Sequence, residues 1–302
     1  MSMQGMKVAI SISDAPDRLR LGLPEREVDR ALMTICTALV REGAEILYAG
    51  DLSPDQYTFK IFRHLAGAYA GARDVAPFVH VIPEPVVRLV PFAQLHGALR
   101  ENGAITQTIL SFGSELLKVR TSGSALLLRA QDGAREAVRG DDEWNRWLEG
   151  RPVTPRIEAF TAAREAVTRA ADARVALGGK MGLDALKSDH YEGGLPGIAE
   201  EAIMALDAGL PMVVLGAYGG ASRDVAISLG LLGAERRVPR GPQHSSYAPA
   251  MDAIAERAAR IPDTVRSALR AIADDDRGEP TAFAVVAAIL AWRDAAAAIG
   301  NL

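Results

Sequence analysis

Three short apolar runs, at residues 7–13, 44–49 and 78–82, alternate with stretches of helical spacing, and this alternation constrains the fold more than any other feature. The first run, Lys-Val-Ala-Ile-Ser-Ile-Ser, ends in the polar turn Asp14-Ala15-Pro16-Asp17 and reads as a buried strand. Pro24-Glu25-Arg26-Glu27 then opens a helix whose apolar residues Val28, Leu32, Ile35 and Leu39 recur at helical spacing, and Gly43 closes it. A second helix is expected over residues 54–72. Strand, helix, strand, helix, strand requires crossover connections, so the pattern predicts an α/β fold with a doubly wound, mostly parallel sheet.

The middle of the chain is less regular. Residues 104–112 and 124–129 read as strands, residues 116–119 fit either strand or helix, and the topology there stays open. Residues 133–149 and 155–171 read as helices. The strand pattern resumes at Arg174-Val175-Ala176-Leu177, followed by a helix over 196–208, a strand over 211–215 and a helix after Gly219-Gly220. Residues 236–242 break the pattern as a linker or edge loop, and three helical segments follow. The expected organisation is one α/β domain over 1–235 with a helical C-terminal extension over 236–302 packed on it.

A chain of 302 residues with 49% hydrophobic and 24% charged residues has the make-up of a folded protein, which excludes disorder as its main state. The formal charge of -4 is poor footing for a dedicated nucleic-acid binder, so that class of partner is disfavoured. Cys36 is the only cysteine, which rules out an internal disulfide, and its apolar helical setting reads as a core thiol. No basic segment leads into a long apolar core at the N-terminus, and residues 281–291 are too short and Ala-rich for a span; a cytoplasmic protein without a membrane partner is expected. The five histidines are scattered without ligand spacing, so neither a metal nor a cofactor is expected. Gln243-His244-Ser245-Ser246-Tyr247 reads as a loop, and 135–151 as a solvated helix face.

Three glycine-bearing turns carry the chemistry: Gly178-Gly179-Lys180, Gly193-Gly194-Leu195-Pro196-Gly197 and Gly216-Ala217-Tyr218-Gly219-Gly220. Each follows a strand or precedes a helix, where free N–H groups and close backbone approach favour an anion. In an open α/β sheet such turns converge at the carboxyl ends of the strands, which points to a phosphate-bearing small molecule. No G-x-G-x-x-G follows the first strand, and no G-x-x-x-x-G-K-[ST] occurs. Ser11, Ser13 and Asp14 end the first strand and either touch a ribose or base edge or form a plain turn. Lys180 reads as a phosphate ligand or a solvated cation, and Arg174 as a phosphate contact or a strand-pairing residue. Glu200 and Glu201, in the first turn of a helix, either serve the helix dipole or accept from ribose hydroxyls; general acid/base work is the third reading. Tyr218 stacks on a base or packs in the core. Asp184, Lys187, Asp189, His190 and Tyr191 populate a long loop placed to close over a ligand, and Asp224 reads as a local cap or pair.

Residues 174–180, 194–202 and 211–221 together resemble the SLOG superfamily. That Rossmann-like group includes the Lonely guy phosphoribohydrolases, DNA-processing protein A and the nucleotide-sensing domains of Thoeris antiphage effectors and melastatin channels. The resemblance implies a Rossmann-like sheet and a nucleotide-derived ligand, ADP-ribose-like, NAD-derived or cyclic. It places phosphate contacts at Gly178, Gly179, Lys180, Pro196, Gly197 and Ile198, with Gly216, Tyr218, Gly219 and Gly220 completing the site beside Ser11, Ser13, Asp14, Arg174, Glu200 and Glu201. The resemblance assigns to Glu200 the part of the acidic residue in the enzymes' Pro-Gly-Gly-x-Gly-Thr-x-x-Glu motif. This chain reads Pro196-Gly197-Ile198-Ala199-Glu200-Glu201 there, so Ile198 narrows the cradle and the Thr hydroxyl is missing. The resemblance therefore implies a sensor, in antiphage or other signalling, whose output is homo-oligomerisation or a separate effector protein. The alternative it implies is an N-glycosidase or phosphoribohydrolase with Glu200 as the catalytic acid/base.

Overall fold

The computed structural model describes residues 2–53, 55–69 and 76–300. In chain order its strands are β1 (Lys7–Ser13), β2 (Glu45–Ala49), β3 (Phe78–Pro83), β4 (Thr106–Phe112), β5 (Glu115–Ser122), β6 (Ala125–Arg129), β7 (Arg135–Val138), β8 (Ala173–Gly178) and β9 (Met212–Leu215). The helices up to β8 are α1 (Glu25–Arg41), α2 (Tyr57–Tyr69), α3 (Glu84–Val87), α4 (Phe92–Asn102), α5 (Gly140–Glu149) and α6 (Arg156–Ala170). Those after it are α7 (Gly197–Asp207), α8 (Gly220–Ser228), α9 (Tyr247–Glu256), α10 (Asp263–Ala273) and α11 (Gly278–Gly300). The fold is α/β, with mostly parallel strands, helices on both sides of them and a helical C-terminal segment. Pro54 and residues 70–72 of the expected second helix lie outside the described residues.

The chain divides into two compact units, Met1–Ala44 with Thr168–Leu302, and Glu45–Val167. In the first, β1, β8 and β9 lie side by side in parallel, Ile10 facing Val175 and Val175 facing Val213. Every residue of β8 and β9 is buried, as expected for strands of a parallel sheet covered on both faces, and in β8 this includes the charged Arg174. Helix α1 buries Val28, Leu32, Ile35 and Leu39, the residues whose spacing predicted it. Cys36 sits on the same face, and burial pushes its thiol up to about 12. Helices α9, α10 and α11 belong to this unit, with α11 packed along α1. Gly278–Ala298 is long and apolar enough to cross a membrane by length and composition. In this fold its Val285, Ala288, Ile289 and Trp292 are buried.

The second unit joins β2, β3 and β4 in parallel and continues from β4 through β5, β6 and β7 as an antiparallel meander. Residues 116–119 resolve as strand: Leu117 and Val119 point inward while Lys118 and Arg120 point out, the period of two expected of a half-exposed sheet. Residues 133–149 are not one helix. Asp132 and Gly133 form a tight turn, with the Ala134 N–H donating to Asp132 Oδ1 at 2.9 Å and to no helix. The chain then returns as β7 before α5 begins at Gly140. An Asp-Gly pair is a hairpin signal, and it overrides the helical spacing around it.

Candidate functional site

In the first unit the carboxyl ends of β1, β8 and β9 bring together the turns 14–17, 179–196 and 216–219. Their backbones nearly touch. The Gly179 N–H donates to the Ser13 carbonyl at 2.8 Å, and the Ala221 N–H to the Gly179 carbonyl at 3.1 Å. The Lys180 N–H reaches Ser13 Oγ at 3.2 Å. A Cβ on Gly220, which has φ +62, would lie 2.2 Å from the Gly179 oxygen, and one on Gly179 would lie 2.6 Å from Ile198 Cδ1. These glycines are therefore required by the approach of the loops to each other.

Asp17 is buried, and its Oδ1 accepts the Gly220 N–H at 2.7 Å at the start of α8. Burial raises its carboxyl above the ordinary range, an effect that the Gly220 hydrogen bond opposes. The anion position at this helix start is thus filled by the chain's own carboxylate. Asp189 does the same inside the next loop, accepting the Met181 N–H at 3.0 Å and the Leu183 N–H at 2.8 Å. Burial raises this carboxyl as well, against those two hydrogen bonds and nearby Lys180.

The loop after β8 is fastened to residues 242–246. The His244 N–H donates to the Gly182 carbonyl at 2.7 Å, and Gln243 Nε2 donates to Met181 O at 2.9 Å. The Tyr191 hydroxyl lies 2.7 Å from Ser246 Oγ and 3.1 Å from His244 Nδ1. Residues 236–242 thus lead into an edge of the site. Between the turn after β1 and this loop lies a cavity of about 230 Å³ lined by Asp14, Ala15, Pro16, Arg18, Leu19, Leu186, Ser188 and Asp189. It offers the Asp14 carboxylate and the Arg18 guanidinium to a small polar ligand, while the Asp189 carboxyl at its wall is held by the loop's own N–H groups.

A sequence model of the family described as SLOG cluster2 matches residues 2–117 and 148–261. The chain belongs to the SLOG cluster2 family. This is a nucleotide-sensing family, and the match spans every crevice turn described above. A search of curated proteins finds no match to the chain.

Against the SLOG expectation, the named residues separate into two groups. Ser13, Asp14, Gly178, Gly179 and Lys180 stand at the crevice turns, with Lys180 Nζ donating to the His190 carbonyl at 3.0 Å. Pro196 caps α7, and Gly197, Ile198 and Glu200 form its first turn, whose leading N–H groups have no partner within a helix. Glu200 is 8% exposed. Gly219 faces Asp17, and Gly220 meets it through its N–H while its Cα side abuts Gly178 and Gly179.

The remaining residues turn toward protein. Arg174 is fully buried and donates to Ser11 Oγ at 2.7 Å and Thr168 Oγ1 at 2.9 Å, while Glu201 pairs with it at 3.0 Å. This buried group joins three of the expected ligand contacts to one another. Gly216 packs against Ala273, and the Tyr218 hydroxyl donates to the Asp276 carbonyl at 3.3 Å. Tyr218 is buried, and burial raises its phenol further above the usual range. Asp224 accepts the Tyr247 hydroxyl at 2.6 Å and pairs with Arg240, holding the 236–242 segment. Among the described residues no three His, Cys, Asp or Glu side chains are placed to hold a metal.

Three residues that matter here carried no site assignment in the sequence: Asp17, Arg18 and Ser188. Arg18 and Ser188 line the cavity and Asp17 caps α8. Their only sequence signal is position: Asp17 ends the turn after the first strand, Arg18 follows it, and Ser188 sits in the long polar loop.

Proposed function

We propose that this SLOG domain senses a nucleotide-derived ligand, ADP-ribose-like, NAD-derived or cyclic, at the ends of β1 and β8. The observation that carries the reading is the cavity between the turn after β1 and the loop after β8. Its Asp14 carboxylate suits a ribose hydroxyl. Arg18, Lys180 and the first N–H groups of α7 suit its phosphates. In this reading Gly219 and Gly220 serve the fold, because Asp17 already satisfies the start of α8. The output passes through homo-oligomerisation or a separate effector in the cytoplasm, as in antiphage signalling.

One observation favours a second reading. Glu200 lies in the first turn of α7, beside the glycine turns, so an N-glycosidase or phosphoribohydrolase would use it as acid/base. Opposed to this is Ile198, which packs so close to Gly179 that a Cβ there would lie 2.6 Å from its Cδ1, where the enzymes' motif has small residues and a Thr hydroxyl.

Incubation with AMP, NAD, ADP-ribose and its cyclic isomers, followed by mass spectrometry of bound and free species, separates the readings. Retention of an intact nucleotide, weakened about tenfold by Asp14→Asn through loss of a charged acceptor, is the expected result. Release of free base and ribose phosphate, abolished by Glu200→Gln, would make the protein an enzyme. Failure of every nucleotide to bind at millimolar concentration would overturn both.

A further inference from the structure

The second unit carries a charged face remote in sequence from the crevice turns. Across β5, β6 and β7, Lys118 stands opposite Arg129, and Arg129 opposite Arg135. Three cations thus form one line over three adjacent strands, spaced about 5 Å apart at the backbone. Arg120, two residues along β5, projects from the same face. All four side chains are exposed, and among the described residues none of them has a hydrogen bond or an ion pair.

Like charges placed directly opposite each other weaken a sheet. Among the described residues no acid pairs with the row. One acid among them, Glu136, lines the hollow over this face, and it is engaged elsewhere: its carboxylate accepts Trp147 Nε1 at 2.7 Å and pairs with Arg151 at 3.3 Å. A sheet that keeps three aligned, uncompensated cations forgoes stability that a single exchange to Gln would restore.

The face is also concave. A cavity of about 550 Å³ lies over it, lined by Lys118, Arg120, Leu127, Arg129, Arg135 and Ala137 among others, a size that suits a small molecule. A second depression of about 330 Å³ shares Lys118 and Arg129. Neither is lined by an aromatic side chain, so a base has nothing to stack on. All four cations fall within residues 118–147, between the two segments that match SLOG cluster2.

We propose that this face of β5–β7 is a second ligand site, which takes a small molecule bearing two or more linked phosphates. Lys118, Arg129 and Arg135 hold one phosphate, and Arg120 the next. The site is independent of the crevice reading, because the residues it uses lie in the other compact unit.

The test is calorimetric titration of the full chain with sodium tripolyphosphate, ATP and AMP at 50 mM and 200 mM salt, alongside thermal unfolding. One-to-one binding of tripolyphosphate or ATP that weakens with salt, with AMP at least tenfold weaker, is expected. Equal affinity for tripolyphosphate and ATP identifies linked phosphate alone as the ligand chemistry, and a preference for ATP identifies a nucleoside polyphosphate. Arg129→Gln, at the centre of the row, is expected to weaken binding at least tenfold while raising the ligand-free Tm; Lys118→Gln repeats the test should Arg129→Gln unfold. Arg26→Gln, which removes the same net charge from exposed α1, is expected to leave affinity within twofold. Equal losses in Arg26→Gln and Arg129→Gln, or none in either row variant, would overturn the site. Tighter binding of a twelve-nucleotide oligothymidylate than of tripolyphosphate would replace the small molecule by nucleic acid and overturn the assignment as well.

Discussion

Asp17 decides what the start of α8 can bind. Its carboxyl is held above its ordinary value of 3.8 mainly by burial, although it accepts the Gly220 N–H at 2.7 Å. A raised carboxyl means that the folded protein holds the proton more tightly than the unfolded chain does. The stability this lends is complete below about pH 3.8 and is lost as pH rises through the folded value. Asp17→Asn keeps an oxygen for the Gly220 N–H and removes the charge. The variant is therefore expected to match the wild type near pH 3.5 and to exceed it in Tm as pH rises toward 7. A constant difference across that range would sink this account. The sequence marked Asp17 only as a turn residue, because its partner lies across the whole unit at Gly220. Arg174 was hidden for the same reason: it was legible as a cation near the site, but Ser11, Thr168 and Glu201 become its partners only once β1, α6 and α7 are packed around β8.

At the scale of elements, the strands that are buried on both faces were the most legible. Runs such as 7–13, 78–82 and 211–215 are mostly apolar and carry Val or Ile at or beside their centres, a composition that suits a strand covered on both faces. The meander was harder, since one residue in two is polar and its periodicity competes with the helical one. The Asp132-Gly133 turn was the deciding local signal for β7. The glycine turns were located by sequence, whereas the reason for the glycines was not. Their tightness makes a sharp comparison. Gly220→Ala must place a Cβ 2.2 Å from the Gly179 oxygen at φ +62, whereas Gly209, at φ +70, has nothing within 4 Å. Gly209→Ala should cost about 1 kcal/mol, for the backbone alone. Gly220→Ala should cost about 3 kcal/mol or more, because backbone must move against backbone. Urea unfolding of both variants measures this, and similar losses in the two would show that the crevice turns are loosely packed.

For the whole molecule, the alternation of strands and helices predicted the α/β class but not the division into two units. That division depends on β1 pairing with β8, which the chain reaches only after residues 45–167 have formed a unit of their own. No local pattern records such a return. Two buried groups, one in each unit, answer acid in opposite directions. Asp17, in the first, gains relative stability as pH falls. His80, in the second, is fully buried on β3; its Nε2–H donates to the Gly50 carbonyl at 3.0 Å and its ring stacks on Phe78. Burial lowers the imidazole from 6.5 to about 4. Below pH 6.5 the unfolded chain takes up a proton that the folded unit refuses until about pH 4, so stability present above that window is lost as pH falls through it. By pH 5 the loss from this one group is about 2 kcal/mol. Amide exchange, corrected for its intrinsic pH dependence, should therefore show protection falling in residues 45–167 between pH 7 and pH 5. His80→Gln, which keeps a donor for the Gly50 carbonyl and does not titrate, should remove most of that fall. If protection in residues 45–167 drops as much in the variant as in the wild type, His80 is not the group that makes this unit sensitive to acid.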